Sequence, residues 1–228
     1  MSKVFSGHQP NFAPYLGFFY KMYRSDVFVF DDDVQFRPKN WTNKNFLKVS
    51  GEKTRITIPV KSEFGDNINQ VMVDYSGNWR KKLERTVQLN YRRAEHYTEG
   101  IDLIEKYILS GEYELLSTLN IEMITSIARR FGIETELLTA STDLYTDLKK
   151  NERNVWQAVQ VGADIYYSGE GGKDYNDESA YEEKGIKVVY SDYTPVRYRQ
   201  ADKTGFIENL SVIDYVFNCG YKLPENFG

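Results

Sequence analysis

The opening segment, residues 1–30, constrains the fold most, because a strand pattern, a helix pattern and a second strand pattern follow one another closely. The apolar pair Val4-Phe5 predicts a short buried strand over Lys3–Ser6. Tyr15–Arg24 is predicted to be a helix, and the apolar run Val27–Phe30 a second strand. Consecutive strands that are joined by a crossover helix run parallel. The segment therefore predicts the beginning of a parallel α/β sheet.

A second strand–helix–strand unit is predicted near the C-terminus, over Asp164–Ser168, Asp177–Lys184 and Ile186–Tyr190. Between the two units, Asn45–Val49 and Arg55–Val60 read as a hairpin. Helical spacing of apolar residues predicts helices over Trp79–Asn90, Tyr97–Leu109, Glu112–Phe131, Asp147–Val161 and Leu210–Asn218. The predicted fold class is α/β, a largely parallel sheet with a helical middle segment, in a single domain that spans residues 1–228.

Composition disfavours several kinds of binding site and cellular location. The net charge of −4 disfavours a broad nucleic-acid surface, which would be basic. The single cysteine, Cys219, cannot form a disulfide within the chain and is expected to be a buried structural thiol. With only His8 and His96 beside it, no His/Cys metal cluster is expected, although carboxylates could hold Mg²⁺. No window resembles a signal peptide or a membrane span, so the expected location is the cytoplasm.

The loop between the first strand and its helix is the first candidate site. It contains His8, Gln9 and Asn11, and Tyr15 begins the predicted helix. A helix N-terminus offers free N–H groups and a partial positive charge, and a histidine titrates near neutral pH. These features suit phosphate binding, or proton transfer beside a phosphate. The alternative is a proline-rich turn with a hydrogen-bonded histidine.

A glycine-rich loop follows the strand of the second unit. Glycines let a backbone approach a ligand and point N–H groups at it, and a lysine adds a cation. Anion binding is therefore predicted, although the spacing matches neither a P-loop nor a dinucleotide fingerprint, and a tight surface turn explains the same residues. The candidate ligand-binding residues of this loop are Ser168, Gly169, Glu170, Gly171, Gly172, Lys173 and Tyr175.

Polar residues after the second strand form a third candidate group. Asp32 and Asp33, in the run that begins at Asp31, could hold Mg²⁺ or orient a base, and a solvated acidic turn is the alternative. Open α/β sheets bind ligands beyond the carboxyl ends of their strands, so this run is expected beside the His8 loop. Trp41 could stack a base or a sugar. The remaining candidates of this segment, which a hairpin edge would also explain, are Gln35, Lys39 and Asn43.

Several of these motifs together resemble one protein family. His8-Gln9-Pro10-Asn11-x-x-Pro14-Tyr15-x-Gly17-Phe18-Phe19-x-Lys21 is similar to the opening signature of the WbqC-like proteins. Gly162-Ala163-Asp164-x-x-x-Ser168-Gly169 resembles the family's glycine loop, and Leu210-Ser211-x-Ile213-Asp214 resembles its C-terminal segment. The match runs through nearly the whole chain in family order. One departure is Lys44, where arginine is the more usual residue.

The resemblance implies a place in surface-polysaccharide gene clusters, notably those for O-antigens. It further implies transfer of glycine or a related acyl group to an amino sugar, with a nucleotide-linked 4-amino-4,6-dideoxy sugar as the expected substrate. No catalytic residues are carried over with the resemblance, so His8, Asp32 and Asp33 are our candidates from loop chemistry alone.

Three other functions stay open on the sequence alone. One is glycosyl transfer, in which the acidic run would hold a metal–diphosphate. The chain could be a non-catalytic module that binds a nucleotide sugar or a partner enzyme. The strand–His loop–helix start also loosely resembles adenylate-forming nucleotidyltransferases, although the spaced histidine pair of those enzymes is absent. Such an enzyme would use ATP, and the cofactor is not fixed by the sequence.

Overall fold

A computed structural model describes residues 2–202 and 204–227 of the chain as an α/β protein. Its regular elements in chain order are β1 (Val4–His8), α1 (Leu16–Tyr23), β2 (Val27–Phe30), β3 (Lys44–Val49), β4 (Glu52–Thr57), β5 (Val60–Lys61), β6 (Met72–Val73), α2 (Trp79–Tyr91), α3 (Tyr97–Ile104), α4 (Leu116–Arg130), β7 (Glu136–Thr139), α5 (Ala140–Asp143), α6 (Lys150–Gln160), β8 (Ile165–Ser168), α7 (Glu178–Glu182), β9 (Lys187–Tyr190) and α8 (Val212–Cys219). A 3₁₀ turn lies at Ile68–Gln70, a π turn at Glu105–Leu109 and a 3₁₀ turn at Glu170–Asp174.

The main sheet has five strands in the spatial order β7-β2-β1-β8-β9, and every neighbouring pair is parallel. In the register of the sheet, His8 pairs with Phe30 and Ser168 pairs with Tyr190. The parallel sheet predicted from the two strand–helix–strand units is therefore confirmed.

Helices cover both faces of this sheet, and side chains alternate between the two faces along each strand. Phe28 and Phe30 pack in a large core with residues of α1, α4 and α8. Val29 points the other way, into a smaller core with Val155 of α6 and Tyr181 of α7. The strands thus read as continuous apolar runs because both faces are buried.

Residues 31–135 form one long connection between the neighbouring strands β2 and β7. This connection holds two small antiparallel ladders, β3 with β4 and β5 with β6, followed by α2, α3 and α4. The helical middle that the sequence predicts is confirmed, and its helices pack on the large core.

Several boundaries differ from the sequence prediction. The predicted strand Arg55–Val60 is divided, because Pro59 lacks the N–H that a continuous ladder needs. The predicted helix Glu112–Phe131 begins only at Leu116, since Leu115 forms an antiparallel bridge with Met72. The first strand extends through Gly7 and His8, beyond the apolar pair that marked it, because it pairs with β2 as far as Phe30.

Candidate functional site

The strand order places a topological switch point between β1 and β8. The chain leaves β1 through α1 on the face of the large core and leaves β8 through α7 on the opposite face. The two connections diverge, so a crevice opens beyond the carboxyl ends of these two strands, where open α/β sheets bind their ligands. His8 ends β1 and Ser168 ends β8, so both candidate loops begin at this crevice.

A cavity of about 120 Å³ lies at the crevice, and the β1–α1 loop and the glycine-rich loop both line it. Its lining residues are His8, Tyr15, Gly17, Phe18, Lys21, Gly169, Glu170, Ser191 and Tyr193. The structure therefore brings the first two candidate loops together at one cavity.

His8 presents a neutral imidazole to this cavity. Its Nδ1 lies 3.0 Å from the carbonyl oxygen of Gln9, and because a carbonyl can only accept, Nδ1 carries the hydrogen. Nε2 is then the unprotonated nitrogen. Burial lowers the pKa of His8 to about 4, and the nearby positive charge of Lys21 lowers it further while the bond to Gln9 opposes the shift. At neutral pH the ring can accept a proton or a hydrogen bond through Nε2.

Lys21 also lines this cavity, although the sequence analysis did not name it as a candidate. It appeared in the opening motif, but on α1 it could have been an ordinary surface lysine. In the structure its side chain is buried, lines the cavity and donates from Nζ to the carbonyl oxygen of Gly7 over 2.8 Å. Burial lowers the pKa of Lys21 to about 8, against the opposing effect of Asp31.

The acidic run lies close to this cavity but does not line it. Asp31 is buried and accepts from Arg153 Nε over 3.3 Å and from Gln157 Nε2 over 2.9 Å. The guanidinium of Arg153 also pairs with Asp33. Burial raises the pKa of Asp31, and Arg153 opposes that shift. This run is therefore not the solvated acidic turn that the sequence left open as the alternative, since Arg153 of α6 pairs with Asp31 and Asp33.

Asp32 faces a different part of the molecule. Its carboxylate accepts from the backbone N–H and the hydroxyl of Ser141, over 3.0 and 2.6 Å. It lines a groove of about 420 Å³ with hydroxyl side chains that include Ser117, Thr118 and Thr142. Within residues 2–202 and 204–227, no cluster of three or more His, Cys, Asp or Glu side chains is placed to hold a metal ion.

A second cavity, of about 260 Å³, adjoins the first at Tyr15, which lines both. It brings together the candidates Asn11 and Trp41, and Trp41 is half exposed there. The other lining residues are Pro14, Asn45, Phe46, Lys53 and Asn209. An aromatic wall with amide groups and one lysine suits a sugar or a base.

Tyr15 lines both cavities, and Gly17 makes room for its ring. A Cβ atom at Gly17 would lie 2.3 Å from Cε2 of Tyr15, which is far inside van der Waals contact. The glycine in the opening motif is therefore explained by the close approach of this ring.

The glycine-rich loop is a compact 3₁₀ turn, in which the N–H of Gly172 donates to the carbonyl oxygen of Gly169 over 2.9 Å. Ser168 is buried, and its hydroxyl accepts from Asn176 over 3.1 Å. Gly169 and Glu170 line the cavity, whereas the remaining candidates of this loop, Gly171, Gly172, Lys173 and Tyr175, do not.

Four other candidates lie outside the linings of both cavities. Asn43 donates to the carbonyl oxygen of Ile58 over 3.0 Å, so its amide supports the β3–β4 ladder. Gln35 and Lys39 are exposed on the loop before β3. Gln9 contributes its carbonyl oxygen to the tautomer of His8.

The residues that carry these loops match a known family model. The model of the WbqC-like protein family matches residues 9–225. The chain belongs to the WbqC-like family. An uncharacterised protein of Mycobacterium tuberculosis is 32% identical over 219 residues, which is 95% of this chain and 94% of that protein. No solved structure matches the chain. The family resemblance predicted from the sequence is thereby confirmed.

Two expectations about the rest of the chain can be compared with the structure. Burial raises the pKa of the Cys219 thiol to about 11, so the thiolate, which is the reactive form, is disfavoured. Among the helices of the described residues, none is both long and apolar enough to cross a lipid bilayer.

Proposed function

We propose that this chain is a transferase that acylates the amine of a nucleotide-linked 4-amino-4,6-dideoxy sugar, with glycine or a related acyl group, in surface-polysaccharide biosynthesis. The observation that supports it most is the neutral imidazole of His8 in the cavity at the switch point of the sheet. The substrate class comes from the resemblance to the WbqC-like proteins. The proton acceptor comes from the cavity, where His8 is one of the lining residues.

Acyl transfer to an amine needs a proton acceptor. The amine nitrogen bonds to the acyl carbon of an activated donor, and the bond to the leaving group breaks with its electron pair. The nitrogen then gives up a proton, which Nε2 of His8 accepts. Because Nδ1–H is held by the carbonyl of Gln9, the ring is fixed in the tautomer that this step needs.

The pair of cavities supports a ligand with two parts. A nucleotide sugar has a sugar and a nucleotide joined by a diphosphate, and two cavities adjoin at Tyr15. We assign the reacting sugar to the cavity of His8 and the more distant group to the cavity of Trp41, where an aromatic ring offers a stacking surface.

The His8→Gln variant tests the catalytic part of this proposal. If His8 is the base, turnover of an amino-sugar nucleotide with an activated glycyl donor should fall roughly 10²-fold or more while the fold is retained. His96→Gln is the matched control, since His96 pairs with Glu99 and contributes to neither cavity of the candidate site. Normal turnover in His8→Gln would eliminate His8 as the base.

A thermal-shift panel tests the substrate class. A ligand at about 100 times its Kd adds roughly 2.7 kcal/mol to stability, which for a chain of this size raises Tm by on the order of 5–10 °C. A shift with dTDP or UDP amino sugars would support the proposal. A folded sample that responds to none of the nucleotides or nucleotide sugars would instead favour a module that binds a partner protein.

The strand order favours one second candidate, an adenylate-forming enzyme that activates the acyl group itself. Numbered along the chain, the strands of the main sheet lie in the order 3-2-1-4-5, which is the order of the doubly wound nucleotide-binding fold as far as its fifth strand. A thermal shift with ATP and Mg²⁺ alone, and release of pyrophosphate with glycine, would support this candidate.

A further inference from the structure

We propose that the ammonium group of Lys21 binds an oxyanion, a phosphoryl or carboxyl group of a substrate, in the cavity that His8 lines. The inference deepens the proposed function, on which it rests, by assigning the charge of the group that the cavity takes. Lys21 becomes a binding residue beside the proton acceptor.

The hydrogen bonds of Lys21 are incomplete. Its side chain is only 6% exposed, so water does not surround the ammonium group. An ammonium has three N–H donors, and buried donors are normally paired. Nζ donates to the carbonyl oxygen of Gly7 over 2.8 Å, and no other acceptor lies within hydrogen-bonding distance among the residues that the structure describes. Two donors therefore remain for a ligand in the cavity that Lys21 lines.

The charge of Lys21 also lacks a direct counterion. Across residues 2–202 and 204–227, no carboxylate oxygen lies within 4.0 Å of its Nζ. The nearest candidate, Asp31, is held by Arg153 and Gln157 instead. A buried cation without a direct partner is unfavourable, so a bound anion would relieve the charge that the fold leaves exposed to the cavity.

A purely structural role explains where Lys21 lies, but it does not explain why the side chain carries a charge. The bond to Gly7 ties α1 to the end of β1, and a neutral donor would make the same contact. Lys48 shows what a structural buried lysine looks like in this chain: its Nζ lies 2.6 Å from Asp202 and also contacts the carbonyl of Gly205. Lys21 has no such carboxylate at hand.

Lys21 keeps its positive charge near neutral pH, although burial lowers its pKa. With a pKa of about 8, Lys21 is mostly protonated at pH 7. Its titratable neighbours are Asp31 behind it and, around the cavity, His8, Tyr15, Glu170 and Tyr193. The cavity lining contains one carboxyl side chain, that of Glu170, which is largely exposed and pairs with Lys173 over 3.9 Å.

The test compares Lys21→Met with Lys48→Met in the full chain, using pyrophosphate and glycine as separate probes. We expect Lys21→Met to have a Tm roughly 5 °C higher without ligand, because a buried unpaired charge is removed. It should lose the anion-induced shift of the wild type. Lys48→Met should keep that shift and have a lower Tm. A shift with pyrophosphate alone identifies a phosphoryl group, and a shift with glycine alone identifies a carboxyl group.

Either of two results would overturn the inference: the folded wild-type protein responds to neither anion, or Lys21→Met responds as the wild type does. Lys21→Arg provides a second measurement that does not depend on the methionine variant folding. Above about pH 8 the wild-type affinity for the anion should fall as Lys21 loses its proton, whereas arginine stays charged and its affinity should not fall in parallel. Equal pH profiles would contradict the proposal.

Anion binding is measured without turnover, so this test and the His8→Gln test fail independently. Normal turnover in His8→Gln would remove the proposed base and leave the anion site intact. Loss of the anion site would leave the catalytic result of His8→Gln unchanged.

Discussion

Two clusters of buried polar groups differ in how completely they are satisfied. At α8, the carboxylate of Asp214 accepts from Tyr91 over 2.5 Å and from Tyr198 over 2.7 Å, and Asn218 donates to the backbone carbonyl of Asp214 over 2.7 Å. At the switch point, the buried Lys21 has one acceptor, and Nε2 of the half-buried His8 has no hydrogen-bond partner among the residues that the structure describes. Both clusters lie within the same fold.

The difference indicates what each cluster is for. Buried polar groups cost stability unless they are paired, so a fold that only needs rigidity pairs them all, as at Asp214. Donors and acceptors that are left free around a cavity lower stability and are available to a ligand. Below the cavity, Arg153 pairs with Asp31 and Asp33, so the charged groups of that layer have partners.

The largest loss of unfolding free energy should come from Arg153→Met, which removes the cation that the carboxylates of Asp31 and Asp33 share. Breaking a buried ion pair costs about 3–5 kcal/mol, because the remaining charge is uncompensated. Burial already raises the pKa of Asp31, and Arg153 opposes that shift, so without Arg153 this pKa should rise further and the loss of stability should be greater at pH 7 than at pH 5. Urea unfolding at the two pH values measures this. An equal loss at both would contradict the assigned pairing.

The Asp214→Leu variant tests the satisfied cluster. Two tyrosine hydroxyls, those of Tyr91 and Tyr198, would lose their acceptor in a buried site, for a loss of about 3 kcal/mol in unfolding free energy. Ligand-induced thermal shifts, measured relative to the Tm of this variant without ligand, should persist. If Asp214→Leu abolished binding instead, the contrast between a structural and a functional cluster would fail.

His8 should make the unfolding free energy of the wild-type protein depend on pH in a way that the His8→Gln variant does not show. Burial lowers the pKa of His8 from its ordinary value of about 6.5 to about 4 in the folded protein, so the unfolded chain takes up the proton first as the pH falls. Stability is therefore full above pH 6.5 and falls as the pH drops towards 4. From pH 7 to pH 5, the wild type should lose about 2 kcal/mol more than His8→Gln. Parallel curves of unfolding free energy against pH would refute the burial of a neutral imidazole.

The smallest effect is expected in the glycine-rich loop, with Gly172→Ala. A Cβ atom there would lie 2.1 Å from Ser168 Oγ and 2.8 Å from Asn176 Nδ2, so the turn must shift, at a cost of about 1–2 kcal/mol. Gly171→Ala is the matched control, because no atom lies within 4 Å of its added Cβ, and it should change stability by less than about 0.5 kcal/mol. Equal effects in urea unfolding would show that the packing against Ser168 is unimportant.

The sequence predicted the periodic elements well where local pattern decides them. The strand Val27–Phe30 and the start of the helix at Trp79 match the structure, because apolar periodicity reflects burial directly. Gly132 and Gly162, which mark helix ends in the sequence, have φ values of 76° and 64°, a conformation that glycine adopts without strain. The late start of α4 was missed, because the bridge between Leu115 and the distant Met72 sets it. The split at Pro59 was also missed, although the missing N–H of a proline is a local signal.

The candidate site was predicted only in part, for a comparable reason. A histidine after a strand and glycines after another are local signals, and the sheet brings both to one cavity. Lys21 carried no local signal, since a lysine on a helix is ordinarily solvated and only its burial distinguishes it. The ion pair of the acidic run was not predicted, because Arg153 is 122 positions away from Asp31 in the sequence.

The sequence by itself thus determined the parallel α/β class, both candidate loops and the family. Tertiary structure alone decided the strand order, the position of Tyr15 in the linings of both cavities, and which charged groups are paired. The physical reason is the sequence distance over which each effect acts. Hydrophobic periodicity and turn chemistry act over a few neighbouring residues. The charge state and hydrogen bonding of His8, Lys21 and Asp31 depend on burial and on partners that only the folded chain assembles.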